Sequence, residues 1–179
     1  MGVSQHGRTQ RLDLADPSLR EWDCTVVGVD PERGIVLDRS AFYPGGGGQP
    51  PDHGVLLWQG VQTRIVGTVR GEDLYLVPAD GDPVPSAGTS VTGALDDPRR
   101  TLLMRTHSGL HVLCGVVFRD FGALVTGGNM EPLTARMDFD LAEVPADFKD
   151  RVAEAVNAEN AADRRIEVRS LPRAEAYAI

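Results

Sequence analysis

The chain has 179 residues, with 18 Lys plus Arg against 26 Asp plus Glu, a net charge of −8 and 41% hydrophobic residues. That is enough apolar material for one or two small globular units. Its 20 glycines and 12 prolines stay below low-complexity levels, and no apolar run nears the roughly 18 residues of a membrane span, so a helical membrane protein and a wholly disordered chain are both excluded. The acidic balance argues against bulk electrostatic capture of nucleic acid, since phosphate affinity comes from clustered Lys and Arg. Among the basic residues only Lys149 is a lysine; the rest are arginines, suited to bidentate phosphate contacts and also favoured by a GC-rich genome. The polar start MGVSQHGRTQRLDLADP has no secretory core, so a cytoplasmic, reducing location is expected, and Cys24 and Cys114 lie too far apart in number and spacing to suggest a disulfide framework.

Residues 24–29 (CTVVGV) and 35–38 (IVLD) flank a Pro/Gly turn and predict a hairpin; residues 61–70 (VQTRIVGTVR) and 74–77 (LYLV) predict a second. Residues 78–88 read as a loop and 89–95 (TSVTGAL) as a further strand, so 1–95 is expected to be an all-β unit, a small barrel or sandwich. At Asp96-Asp97-Pro98 the pattern becomes helical: either aspartate can cap the start, Pro98 suits the first turn, and a long, largely apolar and buried helix is predicted over 99–119. A loop is expected at Thr126-Gly127-Gly128, then a strand over 134–140, a helix over 146–163 with Phe148, Val152, Ala155, Val156 and Glu159 on one face, a strand over 166–170, and a helical start at 174–179. The second unit, 96–179, is therefore α+β.

Two features carry chemistry. His107 and His111, in RTHSGLHVL, project from one helical face a turn apart, which lets two imidazoles bind one metal ion. Ser108 stands where a zinc protease needs a general-base Glu, so that reading fails, and the pair alone fits two ordinary histidines as well as a metal site. Cys114 is three residues further along, but a small apolar cysteine explains it better than a ligand does. The second feature is the run Ser40-Ala41-Phe42-Tyr43-Pro44-Gly45-Gly46-Gly47-Gly48-Gln49-Pro50-Pro51-Asp52-His53-Gly54. Four successive glycines expose backbone amides and permit positive φ, which serves a tight turn or a close approach to a ligand equally well. No phosphate-loop or dinucleotide pattern accompanies them, because Pro50 and Pro51 follow instead of a helix. Phe42 and Tyr43 are expected to pack under the loop, and Asp52 and Glu131 read as turn residues.

FYPGGGGQPPDHG (42–54) resembles the FYPxGGGQPxDxG signature, and RTHSGLH (105–111) the HxxxH helix, of the alanyl-tRNA synthetase editing domain and its free-standing relatives, the AlaX-type trans-editing proteins. VTGGNM (125–130), RMDFDL (136–141), NAENAADRRIEV (157–168) and LPRAEA (171–176) extend the resemblance over nearly the whole chain from Cys24. The resemblance implies a small N-terminal β-barrel with a glycine-rich loop (1–95), packed on a C-terminal two-layer α/β editing domain (96–179). The activity it implies is hydrolysis of mischarged Ser-tRNA(Ala), and of Gly-tRNA(Ala), at the aminoacyl ester. A second hydrolytic site makes physical sense, because a pocket sized for alanine rejects neither glycine nor serine strongly.

In that reading His107 and His111 are the catalytic and zinc-binding pair. Ser40, in place of the threonine of many members, lines the substrate pocket with Gly46, Gly47, Gly48 and Gln49. Arg99, Arg100 and Arg105 contact acceptor-stem phosphates of tRNA(Ala). The family completes its zinc site with a CxxxH motif, and neither cysteine here has a histidine four residues later. The expectation is therefore an editing domain truncated in its sequence as given, with two alternatives: a noncatalytic tRNA- or partner-binding module that kept the fold, or a fragment of a threonyl- or alanyl-tRNA synthetase. Residues 96–179 carry 11 basic side chains against 14 acidic ones, denser than in the first part, so a tRNA surface is expected there.

Overall fold

The structure is a computed structural model that describes residues 5–165 and 171–178; the strand expected over 166–170 lies outside the described residues. The fold is α+β, and the chain divides into two compact units: Met1–Leu110 with Val125–Phe139, and His111–Leu124 with Asp140–Ile179.

The first unit is built on a closed six-stranded barrel. Its strands are β3 (Glu21–Asp30), β4 (Gly34–Leu37), β6 (Gly54–Trp58), β7 (Val61–Arg70), β8 (Leu74–Pro78) and β9 (Ser90–Leu95), in the order β3-β4-β8-β7-β6-β9. All barrel pairings are antiparallel, with Asp30 opposite Gly34 and Arg70 opposite Leu74 closing the two expected hairpins. Alternation in β3 sends Trp22, Cys24 and Val26 inward, where they meet Ile35, Leu37, Phe42, Leu56, Ile65, Leu76, Val91 and Leu95 in one core. Trp22 and Phe42 make an edge contact at 5.3 Å between ring centroids. Gly34 is dictated by both φ and space: its φ is 121°, and a Cβ there would lie 2.1 Å from the Leu76 carbonyl oxygen. The sequence pattern did not announce β6, because Gly54 and the tryptophan at its end blur the alternation.

A smaller sheet of β1 (Gln5–His6), β2 (Thr9–Arg11) and β5 (Arg39–Ser40) joins the chain start to the segment leading into the glycine-rich loop, β2 and β5 running parallel. The buried Thr9 hydroxyl donates to the Leu37 carbonyl at 2.7 Å. A short helix α1 (Leu12–Ala15) follows β2.

Helix α2 (Asp97–Phe121) starts under an Asp96 cap, whose carboxylate accepts the Arg99 N–H at 3.0 Å. It is longer than expected and not buried throughout. Leu103, Val116 and Val117 are buried, whereas Met104, Arg105, Ser108, His111 and Phe118 are exposed, so the helix is two-faced and not the wholly internal one its apolar content suggested. The expected loop at 126–128 is also corrected: residues Val125–Glu131 form β10, paired antiparallel with β11 (Thr134–Phe139). Gly127 opposes Asp138 and Gly128 opposes Met137 beside an irregularity, so paired glycines that read as a loop sit inside a strand.

In the second unit, helix α3 (Phe148–Ala161) turns its expected face inward: Val152 is buried, and Phe148, Ala155, Val156 and Glu159 are partly covered. Phe148 meets Phe121 edge-on at 4.9 Å, Arg151 lies over the Phe121 ring, and Arg119 pairs with Glu159 at 2.6 Å. A last short helix, α4 (Arg173–Ala176), stands at the expected helical start.

Candidate functional site

The glycine-rich run leaves β5 and leads into β6. Gly45, Gly46, Gly47 and Gly48 all have positive φ (74°, 123°, 60° and 84°), which no run of side-chain-bearing residues adopts without strain. Gly46 and Gln49 exchange backbone hydrogen bonds at 2.9 and 3.1 Å, closing a tight turn whose tip, Gly47 and Gly48, is exposed. The turn is braced from several sides. Thr68 Oγ1 donates to the Pro44 carbonyl at 3.0 Å, the Arg70 guanidinium donates to the Gly45 carbonyl, and Tyr43 Oη donates to the Gly46 carbonyl at 3.0 Å. Strand β10 closes in at the tip: the Met130 N–H donates to the Gly48 carbonyl at 3.0 Å, and a Cβ on Gly48 would stand 2.6 Å from the Gly128 oxygen.

The base of the loop is held by a buried ion pair. Asp52 is 1% exposed and Arg100 is 4% exposed. Arg100 Nε lies 2.9 Å from both Asp52 carboxylate oxygens, and its Nη2 donates to Asp52 and also to the Ala41 carbonyl at 2.7 Å. Asp52 in turn accepts the Tyr43 N–H at 2.7 Å. Asp52 is therefore more than the turn residue its context suggested. Arg100 is corrected as well: its guanidinium is consumed inside the protein, where burial demands such pairing, and is not available to a phosphate.

The other expected site residues fall as follows. Gln49 Oε1 lies 2.6 Å from His107 Nδ1, so the loop and helix α2 meet at these two side chains. His111 follows one turn later on the same helix, exposed, in the second unit. Ser40 is 1% exposed, and its hydroxyl oxygen accepts the Phe42 N–H at 3.2 Å, a local turn contact at the start of the loop. Arg99 is half-buried, with Nη1 3.8 Å from Glu131 and a buried Nε that has no hydrogen-bond partner; Arg105 is exposed. His53, next to Asp52, has its pKa lowered below 6.5 by burial and by the Arg99 charge. Thr106, beside His107, accepts the Leu133 N–H at 2.9 Å and so seats the β10–β11 turn on helix α2. The sequence did not single out Arg70 or Thr106. Thr106 lies inside the RTHSGLH motif, but its Leu133 partner is 27 residues away and the Gly45 partner of Arg70 is 25 away, and no local pattern announces either contact.

A structural zinc site takes four protein ligands and a catalytic one usually three. Among the described residues no group of three or more His, Cys, Asp or Glu is placed to hold a metal ion. Cys114 lies on helix α2 with its thiol pushed up by burial, away from the thiolate form that binds zinc. The described residues thus do not make up a zinc site by themselves.

No protein-family model matches the chain. Among curated proteins it is 33% identical over 178 residues to the alanyl-tRNA editing protein AlaX-M of Saccharolobus solfataricus, covering 96% of this chain and 72% of that protein. It is 36% identical over 140 residues to the AlaX-M protein of Methanosarcina acetivorans, covering 74% of this chain and 57% of that one. It is also 35% identical over 179 residues to the alanine–tRNA ligase of Pyrobaculum neutrophilum, where 98% of this chain matches but spans only 20% of the ligase. With a glycine-rich loop docked on a histidine-bearing helix, and this identity across more than two thirds of the Saccharolobus protein, the chain belongs to the alanyl-tRNA editing protein family.

Proposed function

We propose that the protein hydrolyses the ester of mischarged Ser-tRNA(Ala), and of Gly-tRNA(Ala), at the terminal adenosine. The observation that supports this reading is the 2.6 Å contact between Gln49 Oε1 and His107 Nδ1, which joins an imidazole to the residue that follows the exposed glycines. With Gln49 accepting, Nδ1 of the neutral ring carries the proton, so Nε2 is the basic nitrogen. That nitrogen can take a proton from an attacking water, while the amides of the exposed Gly47 and Gly48 would donate to the ester oxygen as negative charge develops. Glycines suit this role because a substrate can approach their backbone without meeting a Cβ.

Zinc enters the reading only as an alternative to that proton transfer: His107, through the same Nε2, and His111 would by their helical spacing give it two imidazoles, and bound there it would supply Lewis acidity in place of the imidazole base. The tRNA acceptor end is the macromolecular partner, and with Arg100 consumed internally the phosphate contacts fall to Arg105 and, in part, Arg99.

Deacylation of Ser-tRNA(Ala), Gly-tRNA(Ala) and Ala-tRNA(Ala) by the purified chain tests the reading, with metal content measured in the same preparations. Release of serine and glycine but not alanine is expected, with loss of activity in the His107→Ala, His111→Ala double variant. Unchanged hydrolysis in that variant overturns it. One observation favours a second reading, a noncatalytic tRNA- or partner-binding module: the described residues bring no third metal ligand. Stoichiometric tRNA binding without zinc or turnover would support that instead.

A further inference from the structure

The loop that carries the proposed chemistry is rich in the residue that loses most conformational freedom on ordering, so its geometry must be imposed from outside. We propose that Asp52 and Arg100 are positioning residues, a buried ion pair that fixes both ends of loop 44–51 on helix α2 so that Gln49 meets His107. The inference rests on the editing reading for its functional meaning, but its structural content stands apart from it.

Three observations lead there. First, the pair touches the chain on both sides of the loop. Arg100 donates to the Ala41 carbonyl at 2.7 Å, and Asp52 accepts the Tyr43 N–H at 2.7 Å while its own N–H donates to the Tyr43 carbonyl at 3.0 Å. Second, Arg100 and His107 are seven residues apart on one continuous helix, which places them on the same face, two turns or about 10 Å apart. The loop thus has two anchorages on one rigid rod: its ends at Arg100 and its Gln49 at His107. Third, the guanidinium is almost fully used, adding a longer contact to the Pro17 carbonyl at 3.3 Å. A buried ion pair gives little net stability compared with apolar packing, so a pair this completely satisfied is better accounted for by the geometry it enforces. Lysine cannot substitute for it, because an ammonium lacks the planar fork that reaches a carboxylate and a carbonyl together.

The test is hydrogen exchange of the full chain and of the Arg100→Lys and Asp52→Asn variants, followed amide by amide, together with kcat and KM on Ser-tRNA(Ala). The Gly46 and Gln49 amides, which hold the loop turn, should exchange at least tenfold faster in the variants. Amides of β3 and β8 should stay within about twofold, and kcat should fall at least tenfold with KM within about twofold. Equal acceleration everywhere, or loop amides unmoved in a folded variant, overturns the proposal. Should both variants fail to fold, the wild-type protein decides under mild denaturant. The amides of Tyr43, Gly46, Gln49 and Asp52 are expected to open together, and Gly46 and Gln49 exchanging while Tyr43 and Asp52 stay protected defeats the idea. If the loop amides respond as stated but no form of the protein hydrolyses Ser-tRNA(Ala), the positioning role stands and the editing reading fails.

Discussion

Gln49 Oε1 and His107 Nδ1, 58 positions apart in the chain, lie 2.6 Å from each other. This one contact joins the two features that the amino-acid pattern singles out as chemical, and with Gln49 as the acceptor it leaves Nε2 as the basic nitrogen of the imidazole. Removing the carboxamide in Gln49→Leu should lower kcat for Ser-tRNA(Ala) by about 10- to 100-fold, the range seen when a partner that orients a functional histidine is lost. His107→Ala should cost about 100-fold or more, as expected for a lost proton-transfer group. Single-turnover deacylation of both variants and of their double mutant measures this. The double variant should be little worse than His107→Ala, because Gln49 acts through the ring; fully additive losses would contradict that.

Arg100→Ala leaves the Asp52 carboxylate buried without its partner, and should destabilise the protein by about 3–5 kcal/mol. Asp52→Leu combined with Arg100→Met removes both charges and should recover a large part of that loss. Urea unfolding of the single and double variants checks the sign. A double variant less stable than either single one would mean that the pair contributes substantial net stability beyond its geometry.

Gly47 and Gly48 separate backbone conformation from space. At both, positive φ penalises a side chain by about 1–2 kcal/mol. Gly47 has nothing within 4 Å of a built Cβ, so Gly47→Ala should lose only that amount. At Gly48 a Cβ would stand 2.6 Å from the Gly128 oxygen, so Gly48→Ala must also push strand β10 away and should cost more. The Met130 amide, which donates to the Gly48 carbonyl, should then exchange faster in Gly48→Ala and be unaffected in Gly47→Ala.

Much of this architecture is legible in the chain. The β-branched runs around 24–38 and 61–77 encode two barrel hairpins through local turn chemistry, and the Asp96 cap with Pro98 marks the start of helix α2 within two residues. Strand β10 was hidden because Gly127 and Gly128 have loop-like propensity, and only pairing with β11 and packing against Gly48 make them a strand. The two motifs mark the residues that meet at Gln49 and His107, but not their framework. Arg100 looked like one of several surface arginines, since burial of a guanidinium depends on Asp52, 48 residues away, and no local pattern carries that information. Ser40, read as a pocket hydroxyl, is buried in the fold and its oxygen accepts the Phe42 N–H, a contact that its sequence neighbourhood does not announce.

His53 gives the protein a pH dependence of defined sign. Burial, and then the neighbouring Arg99 charge, hold its pKa below the ordinary 6.5, so the unfolded chain binds a proton more readily than the native one. Its contribution to stability is therefore present in full above pH 6.5 and is lost as pH falls from 6.5 through the lowered native value. Replacing it with Gln should flatten the stability profile over that window while leaving the profile above pH 7 unchanged in shape. Arg99→Gln, which removes the second cause, should raise the His53 value toward 6.5, read directly by NMR titration of the ring protons. A His53 value above 6.5 in the native protein would reverse the sign of the whole effect, because the charges of Asp96, Asp52 and Glu131 would then outweigh burial and Arg99.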